Sequence, residues 1–203
     1  MSQGTETYKT GEKLPQIRSI ALIALGSNTS SPLGDPTETV RKGVLALVES
    51  LGVIRRVSKY YRTPAFPAGN GPDFVNAVVC LETDLPPEDV ISRLHEIEAE
   101  MGRSRKTRWA PRTLDLDLIA LGNHVLPDAD THRIWRDLPL DQQMERAPEL
   151  LILPHPRVQE RAFVLVPLAD VAPGWVHPAT GRSVKEMLAA LPDAAKQEVV
   201  ALE

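Results

Sequence analysis

The chain contains the segment Arg103-Ser-Arg-Lys-Thr-Arg-Trp-Ala-Pro-Arg112, which leads directly into Thr113-Leu-Asp115-Leu-Asp117-Leu-Ile-Ala-Leu121. Five cations lie within the first ten of these residues. Two carboxylates, Asp115 and Asp117, follow in a run that otherwise has the composition of a buried strand. Because side chains alternate along a strand, both carboxylates are expected on one face and the neighbouring leucines on the other.

Two carboxylates side by side repel each other and resist burial, and a bound divalent cation removes that conflict. Magnesium binds one or two carboxylates together with substrate phosphates, and phosphates favour clusters of arginine and lysine. The pattern therefore indicates a metal–nucleotide site for phosphoryl transfer. A solvated strand face beside an ordinary polar loop has the same spacing, so the spacing alone leaves both interpretations open.

The rest of the chain predicts further strands and helices. The first strand ends at Gly26-Ser27-Asn28, interpreted as a tight turn; it is not a P-loop, because no Gly-Lys-Ser/Thr follows it. In the first helix, Asp35 is the N-cap, Gly52 ends the helix, and the apolar stripe includes Val48. The order strand–helix–strand–strand–helix–strand predicts an α+β fold with a ferredoxin-like sheet. The predicted strands are Ile17–Leu25, Val53–Tyr61, Asp73–Thr83 and a last one ending at Leu121, and the helices run from Asp35 to Gly52 and from Leu85 to Gly102.

Three other segments of the chain are distinctive. The loop at 62–72 is rich in proline and glycine, which suits either a loop that covers a ligand or an inert surface loop. Residues 127–149 have no clear periodicity and predict a long surface excursion with a short helix around 140–146. His155 lies between two prolines on a stiff, non-helical backbone, where both a functional and a structural role are open.

Composition limits the class of protein. With 203 residues and a net charge of −4, the chain suits one domain that is not a general nucleic-acid binder. The single cysteine, Cys80, lies in an apolar run and is expected to pack as a small hydrophobic residue. The polar first residues predict a flexible extension over 1–16 and a domain over 17–203. Since no apolar run is long enough to span a membrane, a cytoplasmic location is expected.

The sequence resembles the 6-hydroxymethyl-7,8-dihydropterin pyrophosphokinase family of folate biosynthesis. The resemblance covers about residues 18–178 and rests on five motifs: Ala24–Asn28, Tyr61–Pro64, Phe74–Ala77, Arg108–Leu118, and Pro154-His155 with Arg161–Phe163. It implies an antiparallel ferredoxin-like sheet covered by helices. It also implies transfer of the terminal diphosphate of ATP to the hydroxymethyl group of the reduced pterin, with release of AMP.

The resemblance also assigns roles to individual residues. Asp115 and Asp117 would hold two Mg²⁺ ions, and Asp115 is also expected to assist the attacking hydroxyl. The residues implied in catalysis are Arg103, Arg112, Asp115 and Asp117. Those implied in ATP binding are His95, Glu98, Arg105, Lys106, Trp109, Arg112, Leu118, His155 and Arg161. Those implied in pterin binding are Thr63, Pro64, Ala65, Phe66, Phe74, Asn76 and Phe163. The expected partners are ATP and the reduced pterin, without nucleic acid or membrane; a monomer and association with folate-pathway neighbours both stay open.

Three departures from the family pattern bear on nucleotide affinity. Pro156 stands where relatives can carry an aromatic residue, and His95 stands at a glutamine-like position. The excursion at 127–149 is longer than in compact relatives and enters the segment that lines the nucleotide base.

Two rival interpretations belong to other classes. A ligand-binding module of the same fold that has lost catalysis would tolerate loss of the two acids, which are both present. An RNA-binding module would need a basic surface and exposed aromatic residues on adjacent strands, and the chain has few aromatic residues and a negative net charge.

Overall fold

The computed structural model describes residues 18–30, 34–65, 71–102, 113–139, 142 and 145–203. Its described strands form one antiparallel sheet in the order β5-β1-β4-β3-β6, and β2 also pairs with β4. The strands are β1 (Ser19–Ser27), β2 (Val53–Val57), β3 (Tyr61–Thr63), β4 (Phe74–Thr83), β5 (Asp115–Leu121) and β6 (Val200–Ala201). If β2 and β3 are taken as one interrupted strand, the order is that of the ferredoxin-like fold, and the predicted fold class is confirmed.

Two helices cover one face of the sheet, α1 (Pro36–Leu51) and α2 (Pro87–Glu100). The main core lies between them and the sheet, and includes Ile23, Val79 and Leu116. The opposite face is covered by α4 (Ala162–Val171) and α5 (Val184–Ala190), which enclose a second core with Leu22, Val78 and Ile119. The remaining helical elements are α3 (Ala129–Arg136), α6 (Asp193–Gln197) and a 3₁₀ turn at Val158–Glu160. The architecture is therefore α-β-α.

The ends of α1 follow from local chemistry. The Asp35 carboxylate accepts the Glu38 N–H at 2.8 Å, which satisfies one of the free amides of the first turn. Gly52 ends the helix at φ 146°, and a Cβ there would collide with the Glu82 carbonyl oxygen. Both predicted caps are confirmed. The prediction for Val48 was wrong, because 47% of this residue is exposed.

Gly43 explains why the buried stripe of α1 differs from the predicted one. A Cβ on Gly43 would lie 3.0 Å from the Leu114 side chain, so its absence lets the helix approach the sheet closely on that side. Thr39 and Gly43 are therefore among the buried residues of α1 together with Val40 and Leu47.

The predicted strand Val53–Tyr61 is interrupted. The Ser58 amide donates to the Val78 carbonyl, and the Ser58 hydroxyl accepts from the Val78 amide, both at 2.9 Å. A side chain thus replaces a backbone carbonyl as the partner of Val78, and regular pairing stops between β2 and β3. The chain end also differs from expectation, because β6 extends the sheet by pairing with β3. These two residues are too few to show a periodic pattern in the sequence.

The excursion at 127–149 contains α3, capped by Asp128. It is anchored in the protein, since His132 on α3 is fully buried. The helix expected around 140–146 falls partly outside the described residues; within it, Arg146 donates its amide to the Gln142 carbonyl at 2.9 Å. Cys80 is buried in the second core, as predicted, and burial raises its pKa. Among the described helices, none has both the length and the apolar content needed to cross a bilayer.

Candidate active site

One row of residues crosses the sheet on the face that α4 covers. Asp115 of β5 pairs with Gly26 of β1, Gly26 pairs with Asn76 of β4, and Asn76 pairs with Tyr61 of β3. Adjacent strands lie about 4.8 Å apart, so two steps separate Asp115 from Asn76 by about 10 Å. Asp115 of the acidic motif and Asn76 of the third predicted strand therefore lie in one register, on the two strands that flank β1.

The two acids occupy the same face of β5, as alternation predicted. Leu114, Leu116 and Leu118 on the other face are buried in the main core. Asp117 is partly exposed, and its Oδ2 atom lies 3.7 Å from Nη1 of Arg161. An ion pair of this length and exposure stabilises the fold little, so Arg161 can exchange the carboxylate for another anion.

Arg161 comes from the start of α4, where it is the N-cap residue. Its guanidinium carbon lies 5.6 Å from the centroid of the Phe163 ring, within the range of a cation–π contact. The structure therefore brings Asp117, Arg161 and Phe163 together from two elements that are distant in sequence.

The outer edge of β5 is held by α2. Glu98 is 1% exposed, and its Oε1 atom accepts the Leu116 amide at 2.8 Å. This bond fixes the peptide between Asp115 and Asp117 in the strand. Because the Leu116 amide points away from β1, alternation places the backbone groups of Leu118 on the same outer edge, although its side chain is in the core. His95 precedes Glu98 by one helical turn and is exposed.

His155 lies beside the same edge. Its amide donates to the Ile119 carbonyl at 2.8 Å, and its Nδ1 atom accepts the Arg157 amide at 3.1 Å. Burial lowers the pKa of His155 well below its usual range, and Arg161 and Arg157 lower it further. The ring is therefore neutral, with its proton on Nε2 as a hydrogen-bond donor.

The residues predicted for the pterin cluster at the end of β4. Asn76 is 7% exposed, and its Nδ2 donates to Thr63 Oγ1 at 2.8 Å. Phe74 is half-buried on the same face. Of the loop that follows Thr63, Ala65 is buried and Pro64 is exposed. Six predicted site residues lie outside the described residues: Phe66, Arg103, Arg105, Lys106, Trp109 and Arg112.

The prediction that Gly26 forms part of a turn was wrong. Gly26 belongs to β1, and a Cβ at this position would lie 3.2 Å from Asn76 Oδ1 and 3.7 Å from Phe74 Cδ1. A glycine inside a strand often marks close approach of another group. That signal was present in the sequence, but its partner Asn76 is 50 residues away.

The donor set fits a hard divalent cation. In the described part of the chain, no three histidine, cysteine or acidic side chains are grouped so that they could hold a metal. Two carboxylates on one strand face suit magnesium, which takes few protein ligands and completes its shell with water and substrate phosphates. A structural zinc site, which needs four protein ligands, does not fit these residues.

Comparison with known proteins assigns the family. The model of the family 7,8-dihydro-6-hydroxymethylpterin-pyrophosphokinase (HPPK) matches residues 22–173. The chain belongs to this family. A 2-amino-4-hydroxy-6-hydroxymethyldihydropteridine pyrophosphokinase of Pseudomonas aeruginosa is 41% identical over 173 residues, covering 84% of this chain and 90% of the relative. The corresponding protein of Synechocystis is 38% identical over 168 residues, covering 83% and 74%.

Solved structures agree with the HPPK fold. A Plasmodium falciparum HPPK-DHPS crystal structure with pteroate superposes with a TM-score of 0.61 at 16% identity, over 87% of this chain and 44% of that chain. This chain therefore spans less than half of the solved one, and at such low identity the likeness concerns the fold alone.

Proposed function

We propose that the chain carries out the HPPK reaction on the face formed by β5, β1 and β4. As a member of this family it is an ATP-dependent pyrophosphokinase of the folate pathway. The reaction transfers diphosphate from ATP to the hydroxymethyl group of 6-hydroxymethyl-7,8-dihydropterin and releases AMP. The observation that carries the proposal is the row Asp115–Gly26–Asn76, which links an acidic metal-binding motif to a candidate pterin contact across one strand.

Asp115 and Asp117 are proposed to hold magnesium, with two ions as the family resemblance implies. When bound, magnesium neutralises charge on the triphosphate, which is the main requirement of phosphoryl transfer. The bond from Leu116 to Glu98 keeps the strand between the acids fixed. A preorganised strand lowers the cost of arranging the carboxylates at the moment of reaction. Asp115 is also proposed to accept the proton of the attacking hydroxyl.

The nucleotide is proposed to lie along the outer edge of β5, where the backbone of Leu118, the Glu98 region and His155 meet. The neutral His155 ring offers an Nε2–H donor for a phosphate oxygen, and Arg161 offers a cation within reach of Asp117. His95 is proposed to border the nucleotide from α2. The predicted phosphate contacts Arg103, Arg105, Lys106 and Arg112, and the contact from Trp109, remain proposals from the family resemblance.

The pterin is proposed to lie against β4, with its ring between Phe74 and Phe163. The Asn76 amide is fixed by Thr63, so its carbonyl oxygen has a set direction for reading a ring donor. Thr63 to Phe66 are proposed to add backbone contacts. Gly26 leaves the space between this amide and the acids open, which supports a position of the hydroxymethyl group between the two substrates' subsites.

Several finer points stay predictions. They are a cytoplasmic location, one domain over 17–203 and a flexible extension over 1–16, which lies outside the described residues. The oligomeric state stays open. Association with folate-pathway neighbours stays open as well. The net charge of −4 supports the absence of a nucleic-acid partner.

Product analysis tests the proposed reaction. The purified protein is incubated with ATP, magnesium and the reduced hydroxymethyl pterin, and nucleotides are separated by ion exchange. We expect AMP in amounts equal to the pterin diphosphate, and none when the pterin is omitted. ADP as the product would mean transfer of a single phosphoryl group. Neither product, with ATP still bound, would indicate a binding module that has lost catalysis.

A further inference from the structure

The peptide unit that joins Pro154 to His155 is bonded at both of its polar atoms. Its N–H donates to the Ile119 carbonyl of β5 at 2.8 Å. Its carbonyl oxygen lies 3.0 Å from Nε2 of His132, in a buried contact. Since a carbonyl can only accept, the Nε2 atom of His132 carries the proton. One peptide plane is thus held between the edge of β5 and helix α3 of the excursion.

The orientation of this plane determines where the His155 ring can point. The backbone of His155 is fixed by the two bonds just described, and the Arg157 amide fixes the ring through Nδ1. The other polar group of the ring is its Nε2–H, which is the donor proposed for ATP phosphate. If the Pro154 carbonyl lost its partner, the plane would be restrained at its N–H alone, and the donor would lose its set direction.

His132 is itself rigidly placed. It is fully buried on a helix whose first turn is capped by Asp128, and its ring meets the edge of the His177 ring with centroids 5.5 Å apart. Its Nδ1 atom has no hydrogen-bond partner among the described residues. Burial lowers the pKa of His132, which keeps the ring neutral with one proton. The ring donates that proton in its hydrogen bond to the Pro154 carbonyl oxygen.

We propose that His132 is a positioning residue of the ATP site, which acts through the Pro154 carbonyl on the direction of the His155 Nε2–H donor. The inference rests on the proposed function, because it takes His155 as a contact for ATP phosphate. It gives helix α3 of the excursion at 127–149 a role in nucleotide binding, through the contact between His132 and Pro154.

Matched variants of His132 separate positioning from bulk packing. His132→Gln keeps an amide donor at about the place of Nε2, whereas His132→Met fills a similar length without a donor. We expect the KM for ATP to rise about fivefold or more in His132→Met, with the pterin KM unchanged, and to stay within about twofold in His132→Gln. If the methionine variant does not fold, His132→Asn replaces it in the comparison with His132→Gln, because the asparagine amide is too short to reach Pro154.

A packing role alone makes a different prediction. The glutamine and methionine variants would then behave alike, or both substrates' KM values would change together with the thermal unfolding midpoint. Either result overturns the proposal.

A double-mutant cycle tests the route through His155. If His132 acts through His155, the ATP KM of His132→Met/His155→Ala equals that of His155→Ala alone. Effects that multiply would show an independent role and contradict the proposal. If His155→Ala leaves the ATP KM unchanged while AMP is still formed, the contact from His155 is wrong and this inference falls with it, but the reaction stands. Absence of AMP in the unaltered protein would instead contradict the proposed function.

Discussion

At the scale of single residues, the candidate site depends on one missing side chain as much as on those present. Gly26 lies between Asp115 and Asn76 in the sheet, and a Cβ there would press on the Asn76 carbonyl oxygen at 3.2 Å. Asn76 cannot move freely, because its amide nitrogen is bonded to Thr63. The glycine therefore keeps the surface clear where two substrates must meet.

Gly26→Ala is expected to raise the pterin KM about fivefold or more, because the new methyl group displaces the Asn76 amide. The ATP KM should change less than twofold or so, since the nucleotide is proposed to lie beyond β5. Steady-state kinetics with each substrate varied in turn checks this. Gly174→Ala is a suitable control, because a Cβ at Gly174 would meet nothing within 4 Å. An equal rise of both KM values in Gly26→Ala would contradict the proposed division of the face.

Among the helices and strands, the features that could be predicted from the sequence are those that local chemistry determines. The N-cap at Asp35 and the alternation of acids and leucines along β5 depend on neighbours a few residues away, and the stop at Gly52 depends on a positive φ that glycine tolerates. The break between β2 and β3 depends on the Ser58–Val78 pairing across 20 residues, and β6 depends on an edge of β3 that only the folded sheet provides. Such long-range partners leave no periodic trace in the chain.

The candidate site likewise has features that could be predicted from the sequence and features that depend on the folded chain. Spacing left a metal–nucleotide site and a solvated strand face both open at Asp115 and Asp117. Resemblance to the family favoured the metal site and assigned the roles of Asn76, His155 and Arg161. The burial of His132 was not predicted, because α3 is polar apart from Ile134 and Trp135 and its sequence resembles that of a surface helix. Its contact with Pro154 exists only because the chain returns to the edge of β5.

At the scale of the whole molecule, buried histidines couple stability to pH. Burial, with a smaller effect of His132, lowers the pKa of His177 to about 4, while an unfolded histidine titrates near 6.5. As the pH falls from about 6.5 towards 4, the unfolded chain binds a proton that the folded protein does not, so the free energy of unfolding decreases. The full stabilisation, up to about 3 kcal/mol, is present above pH 6.5 or so.

His177→Asn is expected to weaken this pH dependence, because asparagine does not titrate and its carbonyl can still accept the Ala179 amide that now bonds to Nδ1. Urea unfolding at pH 7 and at pH 4.5 gives the two free energies for each protein. The loss on acidification should be smaller in the variant, with the remainder arising from His132 and other groups. If the variant and the unaltered protein lose equal stability, His177 does not control this range.

If the acids on the shared face of β5 support diphosphate transfer, removing the charge of one of them should slow the formation of AMP. The rate is measured with saturating ATP, magnesium and reduced pterin for the unaltered protein, Asp117→Asn, and the control Asp193→Asn on an exposed helix start. We expect a loss of at least about 100-fold in Asp117→Asn, an unchanged thermal unfolding midpoint, and a normal rate in the control. A near-normal rate in Asp117→Asn would mean that diphosphate transfer does not need this carboxylate.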